Sequence, residues 1–281
     1  GLTTKEQDVV EHFFATTTHA DMMFFTTTGR VFKLKAYDVP QASRTAKGQA
    51  LVNFLQLGNG ESVTSVLSVE DLSQNGYLVM VTKNGVIKKV DVASFANVRR
   101  SGLIAIKLGN GDRLEWVQAS SGKDNVVLIT SDGQSIRFEE SDLRAMGRVA
   151  AGVRGVRLKS ADSVVGMDIV PAKANASAYD VVVVLEHGYG KRSNLKHYKV
   201  QGRGGSGLKT AKVTDKTGKI VWGRVILASE KKDSDLVIIS DRGQVIRLPF
   251  HSVPVLGRDT QGVHLMRFKE KGDAVASVTF I

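Results

Sequence analysis

A pair of glycines recurs five times along this chain at nearly constant separation. A period near 50 residues is the signature of a repeat architecture. Gly29 is followed by Gly48, Gly85 by Gly102, Gly133 by Gly152, Gly188 by Gly207 and Gly243 by Gly262. The separations are 19, 17, 19, 19 and 19 residues, and the first glycines stand 56, 48, 55 and 55 residues apart. Four residues beyond each first glycine sits a cation: Lys33, Lys89, Arg137, Arg192 and Arg247.

The third repeat shows the local grammar. Asn125 to Thr130 is a short apolar run, Ser131-Asp132-Gly133 is a hairpin turn signal, and Ile136-Arg137-Phe138 alternates as a half-buried strand does. After a polar connection, Gly152 opens a third run with Val153, Val156 and Leu158 apolar, and Val164 to Val170 is a fourth. The residue five past each second glycine is Asn53, Lys107, Arg157, Lys212 or Arg267, polar between two apolar neighbours, so apolar positions face a core and cations face out. Helical signal is weak; the best stretches, near 4–14 and 138–146, are short. The pattern predicts an all-β fold of four short strands per repeat. One repeat cannot bury both faces of so small a sheet, so repeats must pack on one another, as in a propeller-like ring. The repeats run 19–70, 76–120, 124–171, 179–229 and 234–281. Residues 1–18 read as a partial blade, with Val9, Val10, Phe13 and Phe14 as its strand residues.

Charge follows the same period. From each phased cation to the second glycine, the five stretches together hold 16 Lys and Arg against 6 Asp and Glu. That excess of 10 is nearly the whole net charge of +11, in little more than a quarter of the 281 residues. A basic stripe is the electrostatic footprint of a polyanion ligand. Cysteine is absent, which removes disulfides and thiolate metal sites and fits a reducing cytosol. No apolar run approaches bilayer-spanning length. The chain opens at Gly1 with neither a methionine nor a targeting presequence, which suggests a piece of something longer.

Several motifs carry the resemblance to a known family. They are Asp21 to Lys35, Arg144-Ala145-Met146-Gly147-Arg148, Gly152-Val153-Arg154-Gly155-Val156, Gly188-Tyr189-Gly190-Lys191-Arg192, and Gly257-Arg258-Asp259-Thr260-Gln261-Gly262-Val263. In this order, over the whole chain, they resemble the C-terminal domain of the DNA gyrase A subunit, and the related domain of the topoisomerase IV C subunit. The resemblance implies a β-pinwheel, a propeller-like disc of about five to six four-stranded blades whose neighbours exchange strands. It also implies a bacterial, cytoplasmic, nucleoid-associated role: wrapping duplex DNA around the disc edge without reading base sequence. The expected partners are duplex DNA and, in the holoenzyme, the gyrase B subunit with the remainder of the gyrase A subunit. No membrane, cofactor or metal is expected, and the domain itself is expected to be monomeric. Strand cleavage and ATP use would reside elsewhere in the complex.

Gln201-Gly202-Arg203-Gly204-Gly205-Ser206-Gly207 looks like the gyrase-A box, Q-R-R-G-G-R-G, but Gly202 and Ser206 replace two of its cations. It also lies in the fourth full repeat, whereas the family's box belongs to the first blade. The segment is therefore read as a box-like DNA-contacting loop. Its glycines let backbone N–H groups approach phosphate, and Arg203 can pair with phosphate bidentately. The candidate DNA contacts are Lys33, Lys35, Arg44, Lys47, Lys89, Arg99, Arg100, Arg137, Arg144, Arg148, Arg192, Lys199, Arg203, Lys209, Arg247 and Arg258.

No catalytic constellation emerges. Gly202 and Gly207 have P-loop spacing, but Leu208 follows where lysine is required. The six histidines never fall at metal-ligand spacing. Glu139 and Glu140 should point to opposite faces, and Trp116 and Trp222 fall in apolar alternation and are expected in the core. The alternatives are the topoisomerase IV domain, a propeller scaffold for protein partners and, more weakly, a propeller hydrolase. A scaffold needs no basic edge, and Gly-His and Trp-Asp repeat marks are lacking.

Overall fold

The computed structural model describes residues 16–40, 49–69, 76–227 and 234–281. The first repeat contributes strands β1 (Asp21–Thr26), β2 (Arg30–Lys35) and β3 (Val63–Val69). The second contributes β4 (Tyr77–Thr82), β5 (Val86–Asp91), β6 (Leu103–Ile104) and β7 (Leu114–Ser120). The third holds β8 (Asn125–Thr130), β9 (Gln134–Glu139), β10 (Val153–Arg154) and β11 (Val164–Val170). The fourth holds β12 (Tyr179–Leu185), β13 (Tyr189–Asn194), β14 (Leu208–Lys209) and β15 (Ile220–Leu227). The fifth holds β16 (Asp235–Ser240), β17 (Val245–Pro249), β18 (Val263–His264) and β19 (Val275–Phe280).

The molecule divides into two compact units, Gly1–Ser121 with Arg144–Val153, and Gly122–Leu143 with Arg154–Ile281. In the first unit, one antiparallel sheet has the order β3-β1-β2-β6; in the second sheet β5-β4-β7 is extended beside β5 by Val153 of β10. In the second unit the orders are β11-β8-β9-β14, β15-β12-β13-β18 and, with three strands among the described residues, β17-β16-β19. Each of the first four blades is thus a hairpin plus its own last strand, completed by a two-residue strand from the repeat that follows. Arg30 pairs with Ile104, Ser135 with Leu208, and Tyr189 with His264.

This exchange is the one that the family resemblance implies. The third apolar run of each repeat does not form a full strand of its own sheet. After two ladder residues the chain leaves the sheet, because Ala105 and Ile106 both direct their N–H groups at the Gly29 carbonyl oxygen. The same happens where Thr210 and Ala211 meet Gly133. The glycines make the approach possible. A Cβ on Gly207, whose φ is +77°, would lie 2.5 Å from the Ser135 carbonyl oxygen. The helix in the stretch 138–146 is limited to a 3-10 turn, Glu140–Asp142, because Leu143 returns to an extended conformation. The 4–14 stretch and Val9, Val10, Phe13 and Phe14 lie outside the described residues.

Strand alternation builds the cores. Along β1, Met23 and Phe25 enter a cluster with Leu78, Met80, Val90 and Phe95, while Met22 and Phe24 pack on the opposite face with Phe32 and Leu55. In the second unit, Val181 and Val183 of β12 join Val127 and Ile129 of β8. Val182 and Val184 turn the other way, onto Leu236 and Ile238 of β16. Burying each such side chain contributes about 1.5–3 kcal/mol. Trp116 and Trp222 are half-buried, and Trp222 packs against the core cluster around β16. Both lie on strands that form an outer edge of their sheet.

Candidate nucleic-acid interface

Between hairpin and lent strand, the third, fourth and fifth repeats each send a connecting loop across the hairpin of the repeat before. Parallel bridges mark the crossings: Lys89 with Ala145, Arg137 with Val200, and Arg192 with Val255. The phased cation stands at this joint. Its main chain holds the incoming loop, with Met146 N donating to Lys89 O at 2.8 Å, Gln201 N to Arg137 O at 2.7 Å and Leu256 N to Arg192 O at 2.9 Å.

The side chains at this phase are bound to different degrees. Arg192 pairs with Asp180 at 3.3 Å, donates from Nε to the Val253 carbonyl oxygen at 2.7 Å, and lies over the Phe250 ring. Arg247 is exposed and takes Asp235 at 2.6 Å. Lys89 is buried with Nζ over the Tyr77 ring, and Lys33 donates to the Ala96 carbonyl oxygen. Arg137 is half-buried, and burial draws its pKa below the usual guanidinium value. Lys35 pairs with Asp21 at 3.1 Å.

In the loops themselves, Arg99, Arg100, Arg144, Lys199 and Lys209 are exposed, and Arg148, Arg203 and Arg258 are half-buried. Arg44 and Lys47 lie outside the described residues. In the box-like loop Gln201 to Gly207, Gly202 and Ser206 are exposed. Arg203 reaches down from it, donating to the carbonyl oxygens of Asp142 at 3.2 Å and Arg154 at 2.5 Å. Gly204 has a φ of +81° and donates to the Gly155 carbonyl oxygen at 2.9 Å. Gly205 closes over Ile136, which a Cβ there would meet at 3.6 Å.

Two groups of cations lie beyond the sixteen candidates. Lys107, Arg157, Lys212 and Arg267, five residues past successive second glycines, are all exposed. None of them forms an ion pair among the described residues. Three are fixed beside the next connecting loop by their own main chain: Lys107 N donates to Ala150 O, Arg157 N to Gly205 O and Lys212 N to Thr260 O. Their sequence signal is the basic residue between two apolar ones. The second group, Lys88 and Lys191, is buried. Lys88 Nζ donates to the carbonyl oxygens of Ala105 and Arg148, and Lys191 Nζ to those of Gly257 and Arg258. Desolvation lowers both lysines to a pKa of about 8, with Arg148 and Arg258 pushing the same way and Asp259 opposing at Lys191.

Glu139 is exposed, whereas Glu140 is buried and accepts from Gly122 N and Asp124 N, so the two acids do point apart. Among the described residues no group of His, Asp or Glu is placed to hold a metal, and no helix is long and apolar enough to cross a membrane.

A β-propeller whose blades complete one another with short lent strands, and whose joints carry cations, is the class that these features define. The family model described as "DNA gyrase C-terminal domain, beta-propeller" matches residues 20–70, 76–121, 124–171, 181–226 and 234–281, and the chain belongs to this family. It is 38% identical over 279 residues to the A subunit of DNA gyrase from Staphylococcus epidermidis, covering 99% of this chain and 30% of that protein. It is 41% identical over 268 residues to the corresponding Staphylococcus aureus protein, covering 95% of this chain and 30% of that one. The chain thus spans about a third of the length of these relatives. A solved DNA gyrase A C-terminal domain superposes with a TM-score of 0.74 at 26% identity, over 94% of this chain and 83% of that one. A solved C-terminal domain of DNA topoisomerase IV superposes at 0.84 with 22% identity, over 94% and 80%. The latter is a likeness of fold.

Proposed function

We propose that this chain binds duplex DNA through its phosphates and bends it along the cation-bearing joints, as the DNA-wrapping C-terminal part of a gyrase A subunit. The observation that carries this reading is the set Lys107, Arg157, Lys212 and Arg267. These cations recur at one phase of the repeat, stand exposed and face no acidic partner among the described residues. Contacts of this kind position DNA without reading bases. Curving a duplex costs on the order of several kcal/mol, which a repeated set of contacts can share. The domain works without cofactor or metal. Strand cleavage and ATP use belong to the B subunit, with the remainder of the A subunit. The loop at 201–207, two cations short of the gyrase box, favours a second reading as a topoisomerase IV domain that senses DNA geometry.

Ligation of a nicked plasmid in the presence of the chain tests the reading. Wrapping shifts the linking number in proportion to bound protein. Binding with no shift limits the chain to a contact surface, and no binding at low salt returns it to a protein scaffold.

A further inference from the structure

The hairpin of the third repeat differs from those of the fourth and fifth in one residue beside its phased cation. On each hairpin, the residue twelve before the phased cation stands diagonal to it across the ladder. Asp180 pairs with Asn194 while Val182 pairs with Arg192, and Asp235 pairs with Pro249 while Val237 pairs with Arg247. In both blades the aspartate takes the arginine, at 3.3 and 2.6 Å. In the second repeat Tyr77 holds that position and its ring receives Lys89.

In the third repeat the position belongs to Asn125, which pairs with Glu139 while Val127 pairs with Arg137. An amide carries no charge, and it does not engage the arginine. Arg137 Nε and Asn125 Oδ1 are both buried without a hydrogen-bond partner among the described residues. A buried polar group left unpaired is uncommon and calls for a cause. A partly desolvated guanidinium without a counter-ion is costlier still, because its charge persists at every accessible pH. The same arginine roots the glycine-rich loop. Its main chain bridges Val200 and accepts from Gln201 N. The N–H groups of Gly202, Arg203, Gly205, Ser206 and Gly207 have no protein backbone acceptor among the described residues. A guanidinium whose buried Nε meets no partner, on a strand whose main chain anchors a glycine-rich loop, describes a place for an anion.

We propose that Arg137 is a dedicated phosphate site. Its guanidinium takes one backbone phosphate of the bound duplex at the root of the 201–207 loop, while Asp180 and Asp235 withhold Arg192 and Arg247 from the same task. The inference rests on the DNA-binding reading, and it ranks the phased cations, which are otherwise alike in sequence.

Asn125→Asp tests it by installing the carboxylate that the fourth and fifth repeats already have. The variant should keep or raise its melting temperature, since the new aspartate gives Arg137 an internal partner. Its affinity for duplex DNA should fall about fivefold, and its salt slope should become shallower by about 0.9, the share of one phosphate. Arg137→Gln should lose the same slope, and the double variant should lose no more than either single one. Wild-type affinity and slope in Asn125→Asp would overturn the proposal. A second measurement separates it from the DNA reading: the Arg137 Nε–H resonance, followed as inorganic phosphate alone is added. A shift that Asn125→Asp abolishes supports the anion site even if the chain fails to bind duplex. A resonance that neither phosphate nor duplex moves overturns it.

Discussion

Arg258 donates from Nη1 to the carbonyl oxygen of Lys209 at 2.8 Å, and Arg203 makes the same bond to Arg154 at 2.5 Å, each reaching back 49 residues. The arginine four before the second glycine of one repeat thereby splints the short strand lent by the repeat before it. A hydrogen bond from a charged donor contributes about 1.5–3 kcal/mol. Arg203→Ala and Arg258→Ala should therefore each lower stability by about 1–2 kcal/mol in urea unfolding. Lysine should restore little, because it lacks the planar fork. If either alanine variant loses DNA affinity at unchanged stability, its guanidinium serves the ligand and not the joint.

Blade exchange sets what each hairpin glycine tolerates. A Cβ on Gly188 would lie 2.3 Å from the Met266 carbonyl oxygen, whereas one on Gly243 would meet nothing within 4 Å, although both residues have φ near +78°. Gly243→Ala should cost about 1 kcal/mol, the conformational penalty alone. Gly188→Ala adds a collision with main chain that cannot move without breaking the lent strand, and should cost about 3 kcal/mol or more. Equal shifts in melting temperature would refute the exchange of strands at Gly188.

Lys88 and Lys191 tie stability to alkaline pH. Their pKa falls from 10.5 to about 8 on folding, so between these values the unfolded chain binds more protons than the folded one. Stability should then rise as pH increases from about 8 toward 10.5 and decline as pH falls back to 8. Each lysine contributes up to about 1.4 kcal/mol per pH unit in that window. Comparing Lys191→Met with the parent from pH 7 to pH 10 isolates the effect. The parent should gain stability relative to the variant as pH rises, and a constant difference would contradict the shifted lysine.

Removing Arg157, Lys212 and Arg267 together, as alanines, should flatten the salt dependence of DNA binding by about 2.7, or roughly 0.9 for each phosphate no longer neutralised. Affinity should fall equally on unrelated sequences. All three side chains are exposed and unpaired among the described residues, so the melting temperature should hardly move. An unchanged slope would send the DNA path elsewhere.

The repeat and its hairpins are legible because glycine at positive φ and alternating strands leave marks at fixed spacing: Gly133 and Ile136-Arg137-Phe138 fall where the turn and β9 form. The destination of the lent strands is not legible. A ladder of two residues such as Leu208-Lys209 has no periodicity of its own, and its partner Ser135 lies more than seventy residues away; only the family resemblance implies an exchange. The site is legible in part. Cation phase is visible, but which cation is paired inside the fold is not: Asp180 takes Arg192, whereas Asn125 leaves Arg137 Nε without a partner. Lys88 and Lys191 hide in the sequence because lysine reads as surface. Their position holds Phe32, Ile136 and Ile246 in the other repeats, which marks it as buried.

The most direct test of DNA binding through phosphates is the affinity of the chain for two unrelated duplexes of equal length, measured across a series of salt concentrations. The expected result is one steep line for both, with log K falling against log salt with a slope of about −4 or steeper. A slope equivalent to one or two phosphates, or a large difference between the two sequences, would contradict a surface that holds DNA by its backbone.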